Sequence, residues 1–325
     1  MMGDADFRHE PVLLHEVLDL LHLFPGAIVV DGTVGGGGHS QHILAATGPD
    51  GRLFGLDRDQ QALTAASKRL ASFGKRVTLR QANYAALADV LRAEGIDECD
   101  AILLDLGVSS HQLDCQERGF SFQHDAPLDM RMDQTEGITA EQVVNELTAA
   151  ELGTIFKEYG EERWAKRIAR RIERERAVAP VRTTLQLAEL VKSAVPAGKQ
   201  PQRIHPATRV FQALRIYVND ELGYLKKGLE SSLEMLRPGG VLVVISFHSL
   251  EDRIVKQFFR AQTQTCECPP RLPVCMCTRQ ARVKLLTRGG IRAGSVEIEH
   301  NPRARSAILR GAEKLPQQEQ GVSDA

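Results

Sequence analysis

Three aspartates and a tyrosine stand at matching places in the first third of the chain. Asp31 closes the apolar run AIVVD (27–31), Asp57 closes RLFGLD (52–57), Tyr84 follows RVTLRQ (76–81), and Asp105 lies near the end of DAILLDL (100–106). Carboxylates at the ends of such runs accept hydrogen bonds from hydroxyls and amines and attract positive charge. Between the first two acids lies GTVGGGGHS (32–40), whose glycines Gly35 to Gly38 let the backbone bend sharply and a ligand approach closely. A dinucleotide fingerprint requires G-x-G-x-x-G, with its last glycine inside the helix; His39 and Ser40 stand there instead. The letters suit a ligand without a pyrophosphate. S-adenosylmethionine, with its sulfonium, amino acid end and adenosine, calls for carboxylates and exposed amides, so it is the candidate cofactor. Asp57, nineteen residues beyond Gly38, falls near the roughly 20-residue offset at which an acid reaches a ribose in doubly wound folds. A tight structural turn is the alternative reading of the glycines, and a helix N-cap that of Asp57.

The elements that position these residues read as an α/β domain. Residues 9–23 place apolar side chains at helical spacing, and further helices are expected over 38–46 and 60–72. Strands separated by such helices argue for parallel βαβ units, whose ligands bind beyond the carboxyl ends of the strands. Residues 113–218 are too long for one crossover and are expected to form an inserted all-helical domain, with capping-box spacing at Thr139/Gln142 and Thr148/Glu151. The organisation expected is 1–112 and 219–313 for the two parts of the main domain, 113–218 for the insertion and 314–325 for a disordered tail. RPGG (237–240) reads as a turn before a strand over 241–246, a helix follows over 250–261, and 284–287 and 307–310 read as a terminal antiparallel pair.

The chain has 325 residues, 42% of them hydrophobic, and a formal net charge of −1, which is ordinary for a globular protein. It has no apolar run near the ~20 residues of a membrane span and no signal-peptide pattern at its start, so a cytoplasmic protein is expected. Charge is locally uneven. Residues 157–182 carry nine Lys or Arg against five Glu, including Arg163, Lys166, Arg167, Arg170, Arg171 and Arg174, and 271–310 carry nine against two. Either stretch suits a phosphate backbone, and the first equally suits a solvated helix face. Cys266, Cys268, Cys275 and Cys277 form two C-x-C pairs, readable as free thiols or as four ligands of a structural zinc; no metal is assigned.

From Asp105 onward, longer blocks carry a resemblance: DLGVSS (105–110) with Gln112, RGFSF (118–122), PLDMRM (127–132), YGEER (159–163), HPATR (205–209), SFHSLEDR (246–253) and NPRARS (301–306). Together they resemble the RsmH or MraW family of bacterial ribosomal RNA methyltransferases over nearly the whole chain. The resemblance implies a Rossmann-like class I S-adenosylmethionine-dependent methyltransferase that transfers a methyl group to the exocyclic N4 of one cytosine in 16S rRNA, at the decoding centre of the small ribosomal subunit. It implies cofactor contacts at Gly37, Gly38, His39, Asp57, Tyr84, Asp105 and Gln112. No membrane partner is expected, and a homodimer is left open.

The amino group of cytosine is a poor nucleophile because its lone pair is delocalised into the ring. An enzyme must therefore accept hydrogen bonds from it and hold it in line with the methyl group. Asp105 is the first candidate and His248 the second. The D-P-P-aromatic sequence common in amino methyltransferases reads Asp105-Leu106-Gly107-Val108 here, so a stacking aromatic must come from elsewhere; Phe120, Phe122 and His248 are candidates. Two other classes share features: a nicotinamide-dependent oxidoreductase, which would need the missing glycine, and a non-catalytic RNA-binding protein, which would need no joint set of Asp57, Tyr84 and Asp105.

Overall fold

A computed structural model describes residues 11–108, 115–196, 205–266 and 280–317. The chain divides into two compact units, one comprising the chain up to Gly107 and from Tyr224 onward, the other Val108–Gly223.

The first unit is built on a seven-stranded sheet: β1 Ile28–Asp31, β2 Arg52–Asp57, β3 Val77–Gln81, β4 Cys99–Asp105, β5 Leu236–Ser246, β6 Val283–Leu285 and β7 Ile308–Lys314, in spatial order β3-β2-β1-β4-β5-β7-β6. The first five are parallel, and β7 enters antiparallel between β5 and β6. Helices α1 Leu14–Leu20, α2 Gly38–Ala46, α3 Gln60–Leu70 and α4 Leu87–Ala93 lie along the first half, and α10 Glu221–Met235, α11 Ser249–Gln262 and α12 Ser295–His300 along the second. The central strands β1, β2, β4 and β5 carry buried apolar side chains on both faces, as a sheet covered on both sides requires. Their pleat sorts the side chains: Val29, Leu53, Ala101, Leu103, Val243 and Ile245 share one core with Val17, Ile43 and Ala66 of α1 to α3. Val30, Phe54, Ile102, Leu104 and Val244 share another with Leu87, Leu229 and Val255 of α4, α10 and α11. Each fully buried leucine contributes roughly 1.5–3 kcal/mol to this packing. The chain winds from β1 outward to β3, then returns to β4 on the other side of β1. The sheet therefore has its switch point between β1 and β4, where doubly wound folds bind ligands.

The second unit is helical: α5 Ala140–Glu146, α6 Ala149–Glu158, α7 Ala165–Arg176, α8 Thr184–Ala194 and α9 Ala207–Asn219. They enclose one core that includes Phe156, Ile168, Ile172, Val191 and Leu214. Capping boxes start α5 at Thr139, α6 at Thr148 and α8 at Thr183.

Several boundaries differ from expectation. The helix expected over 9–23 is confined to α1 because Leu13 and His22 take left-handed backbone angles at either side of it. RPGG (237–240) does turn, but within β5: Leu236 pairs with Cys99 and Val241 with Ala101, so the four residues bulge against one. Lys314, where the tail was expected to begin, closes β7, and Leu315 N–H still donates to Arg282 O at 2.8 Å. Among the described residues no helix is long and apolar enough to cross a membrane.

Candidate active site at the carboxyl ends of the central strands

Strand register sets the acids in a defined pattern. Asp31 on β1 pairs with Gly55 of β2 and Leu103 of β4. Asp57 and Asp105 therefore lie two residues beyond its level on the flanking strands, and the period of two turns all three toward the face carrying α2. The glycine-rich turn crosses this end of the sheet and hydrogen-bonds to the acids. Asp57 Oδ2 accepts from Gly35 N–H at 2.9 Å, and its Oδ1 from Asp59 N–H at 2.9 Å. Asp31 accepts from Thr33 N–H at 3.2 Å and from the Ser40 hydroxyl at 2.6 Å. Thr33 Oγ1 in turn accepts from Asp105 N–H at 2.6 Å. Thr33 and Ser40 thus fix two of the three acids. Sequence reasoning passed over both, although they lie in the same glycine-rich stretch.

His39 and Asp105 meet. His39, buried on α2, directs Nε2 at Val12 O, 2.9 Å away, and Nδ1 at Asp105 Oδ2, 3.5 Å away. A carbonyl only accepts, so Nε2 carries a proton and Nδ1 is the ring nitrogen that faces the Asp105 carboxyl. Asp105 Oδ1 is buried without a hydrogen-bond partner among the described residues. Such an acceptor calls for a donor from a ligand.

The electrostatics are those of a cation site. Burial pushes Asp31 up to about 6 against the hydrogen bonds from Ser40 and Thr33. Burial likewise raises Asp57 to about 6, against the backbone hydrogen bonds from Asp59 and Gly35. Asp105 is raised well above the ordinary carboxylate range, by burial first and then by Asp31 and Glu251. Among the described residues no Lys or Arg pairs with Asp31, Asp57 or Asp105. Three carboxylates held without a Lys or Arg partner among the described residues favour a positively charged ligand.

The other expected residues fall as follows. Gly37 has φ +79° and precedes α2; a Cβ on it would stand 3.3 Å from Ala66 Cα. A Cβ on Gly38 would stand 2.9 Å from Pro11 Cγ. Both glycines are therefore explained by close packing, while their backbones line the turn. Tyr84 opens a short 3₁₀ turn after β3, with its Cβ beside Gly32 and its ring against Gly228 of α10, where a Cβ would come within 2.3 Å of Cδ2. Gly228, from the far end of the sequence, carries no local signal of this contact. His248 is placed as the N-cap of α11: Nδ1 accepts from Glu251 N–H at 3.4 Å, and Nε2 stands 3.2 Å from Glu251 Oε1 without hydrogen-bond geometry. Its ring thus faces Glu251. Gln112 lies outside the described residues, as do Cys268, Cys275 and Cys277; Cys266 is described and exposed.

Comparison with known proteins bears on the whole chain. The model of the MraW methylase family matches residues 6–315. Ribosomal RNA small subunit methyltransferase H of Syntrophotalea carbinolica is 62% identical over 309 residues, covering 95% of this chain and 98% of that protein. Proteins of the same name from Geobacter sulfurreducens and Symbiobacterium thermophilum are 57% and 54% identical over 309 residues, covering 95% of this chain and 99% and 97% of their own lengths. With its Rossmann-like sheet and its cation-favouring crevice, the chain belongs to the MraW methylase family.

Proposed function

We propose that this protein transfers a methyl group from S-adenosylmethionine to the exocyclic N4 of a cytosine in the 16S rRNA of the small ribosomal subunit. The observation that carries the cofactor is the set of Asp31, Asp57 and Asp105 at one switch point without a basic partner among the described residues. The names of the relatives support the ribosomal RNA substrate.

S-adenosylmethionine supplies an electrophilic methyl group on a cationic sulfur. Asp57 would accept from ribose hydroxyls, with the backbone of Gly37 and Gly38 and the ring of Tyr84 enclosing the nucleoside, and with His39 and Gln112 beside it. Asp105 would accept an N–H of the cytosine amino group through Oδ1, drawing electron density toward the nitrogen and orienting its lone pair. This role needs Asp105 ionised. Burial works against that, and a positively charged ligand in the crevice would favour it. His248 is the weaker candidate for base contact, because its ring faces Glu251. On this reading the helical unit contacts RNA, and the protein works in the cytoplasm.

The test is transfer from labelled S-adenosylmethionine to small ribosomal subunits, followed by nucleoside analysis, with Asp105→Ala and Asp105→Asn alongside. N4-methylcytidine is expected from the wild type. Both variants should lose about 10²–10⁴-fold in rate, the range of a positioned acid–base group, while still binding cofactor. Label incorporated at another nucleoside would displace the cytosine assignment, and full activity of Asp105→Ala would remove Asp105 from the reaction.

A further inference from the structure

A flat base brought to Asp105 needs a surface to lie against. The described residues that follow it, Leu106, Gly107 and Val108, carry no aromatic ring, and Val108 packs into the core of the helical unit. The aromatics expected to substitute are committed elsewhere. Phe120 is buried in that same core, and Phe122 packs between His205 and Phe211 at ring distances of 4.9 Å.

The sheet points to a different residue. Asp105 is level with Ile245 of β5, so Gly107 and Phe247 both lie two residues further along neighbouring parallel strands. Phe247 also has the pleat phase of Ile245, and it packs against the core on the face that Asp105 shares. Asp31, Asp105 and Phe247 thus rise as steps across β1, β4 and β5. Gly107 has φ +98°, and a Cβ there would stand 3.4 Å from Phe247 Cδ2 and 3.9 Å from Cγ. The ring therefore lies against bare backbone two residues past Asp105. It is half-buried, unlike Ile245 beneath it, which is fully buried. Its backbone is fixed as well: Phe247 N–H donates to Glu251 Oε2 at 2.8 Å.

We propose that Phe247 is the aromatic platform on which the target base stacks while its amino group faces Asp105. The proposal rests on the methyl-transfer reading above. It accounts for the missing aromatic of the D-L-G-V loop, since the ring comes from the next strand and Gly107 leaves room for it. Stacking tolerates any base, so Phe247 would hold the ring plane while Asp105 selects the amino group.

Methyl transfer to small ribosomal subunits is compared for wild type, F247L and F247Y, with S-adenosylmethionine affinity measured by calorimetry. F247L should lose about 10- to 100-fold in kcat/KM with cofactor affinity unchanged, the span that base–aromatic stacking commands, and F247Y should recover to within about threefold of wild type. Wild-type turnover by F247L overturns the proposal. So does an equal loss of cofactor affinity in F247L, which marks a purely structural ring. F247W gives an independent reading, with the wild type, whose one tryptophan is Trp164, as blank. Cytidine monophosphate added with S-adenosylhomocysteine should quench its emission. If the wild type methylates no cytosine, the methyl-transfer reading fails by itself. The fluorescence then decides the platform: quenching of F247W by a nucleoside monophosphate upholds it, and no quenching by any of them overturns it.

Discussion

At the scale of single residues, the site is set by carboxylates that the fold holds at a cost. Asp31 and Asp57 have folded-state values of about 6 against an ordinary 3.8, so the folded chain holds their protons more tightly than the unfolded chain does. The sign follows from linkage. Their contribution favours the fold at low pH and is lost as pH rises from about 4 through 6, by roughly 3 kcal/mol for a group shifted this far when fully buried. A cationic ligand reverses the balance, because it favours the ionised carboxylates and expels their protons. Affinity for S-adenosylmethionine should therefore rise between pH 5 and pH 7, by up to about tenfold per pH unit for each group that must ionise, with proton release in that window. S-adenosylhomocysteine, which lacks the sulfonium charge, should show a shallower rise, and Asp57→Asn should flatten the curve for both. Calorimetry in buffers of different ionisation enthalpy measures both affinity and protons. Equal pH dependence for the two ligands would show that the sulfonium charge is not what these acids meet.

At the scale of elements, the decisive contact is between the turn after β3 and helix α10. Gly228 sits inside α10, where alanine would ordinarily be better by about 1 kcal/mol. Here a Cβ would fall 2.3 and 2.6 Å from Tyr84 Cδ2 and Cε2, so the ring must move if the helix is to keep the methyl group. Gly228→Ala should weaken S-adenosylmethionine binding about tenfold. On a Tyr84→Ala background it should add little, because the clash has been removed. Additive losses in the double variant would mean that Gly228 acts on something other than Tyr84. This contact also marks the limit of what the sequence discloses. The strand-end acids were legible because each closes an apolar run beside a turn, and the boxes at Thr139 and Thr148 because their four-residue pattern is local. Thr183 has the same local pattern with Gln186 and opens α8 in the same way. The Tyr84–Gly228 packing joins residues 144 positions apart, and no local pattern encodes it. His39 beside Asp105 is of the same kind: the resemblance drew attention to His39, but only the fold brings it to the acid.

At the scale of the whole molecule, one unit supplies the crevice and the other supplies surface charge. Helix α7 buries Ile168, Ala169 and Ile172 and presents its cations on the remaining faces. Some of those cations are engaged, Arg171 with Glu175 at 3.1 Å and Arg176 with Val144 O at 2.6 Å, and just before the helix Arg163 lies over the ring of Trp164. The side chains of Lys166, Arg167, Arg170 and Arg174 are exposed and make no ion pair or hydrogen bond with the described residues. Lys166, Arg170 and Arg174 recur every four positions and so form one stripe along the helix. A helix that was only a solvated face would be expected to pair such charges with acids at i and i+4, as Arg171 does. A stripe left unmatched suits a phosphate backbone. The variant K166A/R170A/R174A should therefore bind small-subunit rRNA more weakly. The slope of log affinity against log salt should fall by about 0.7–0.9 for each phosphate contact removed. Affinity for S-adenosylmethionine and the thermal midpoint should stay near wild type, because the buried face of α7 is untouched. Filter binding across a salt series reads the slope directly, and a slope equal to that of the wild type would rule this helix out as a docking surface for RNA.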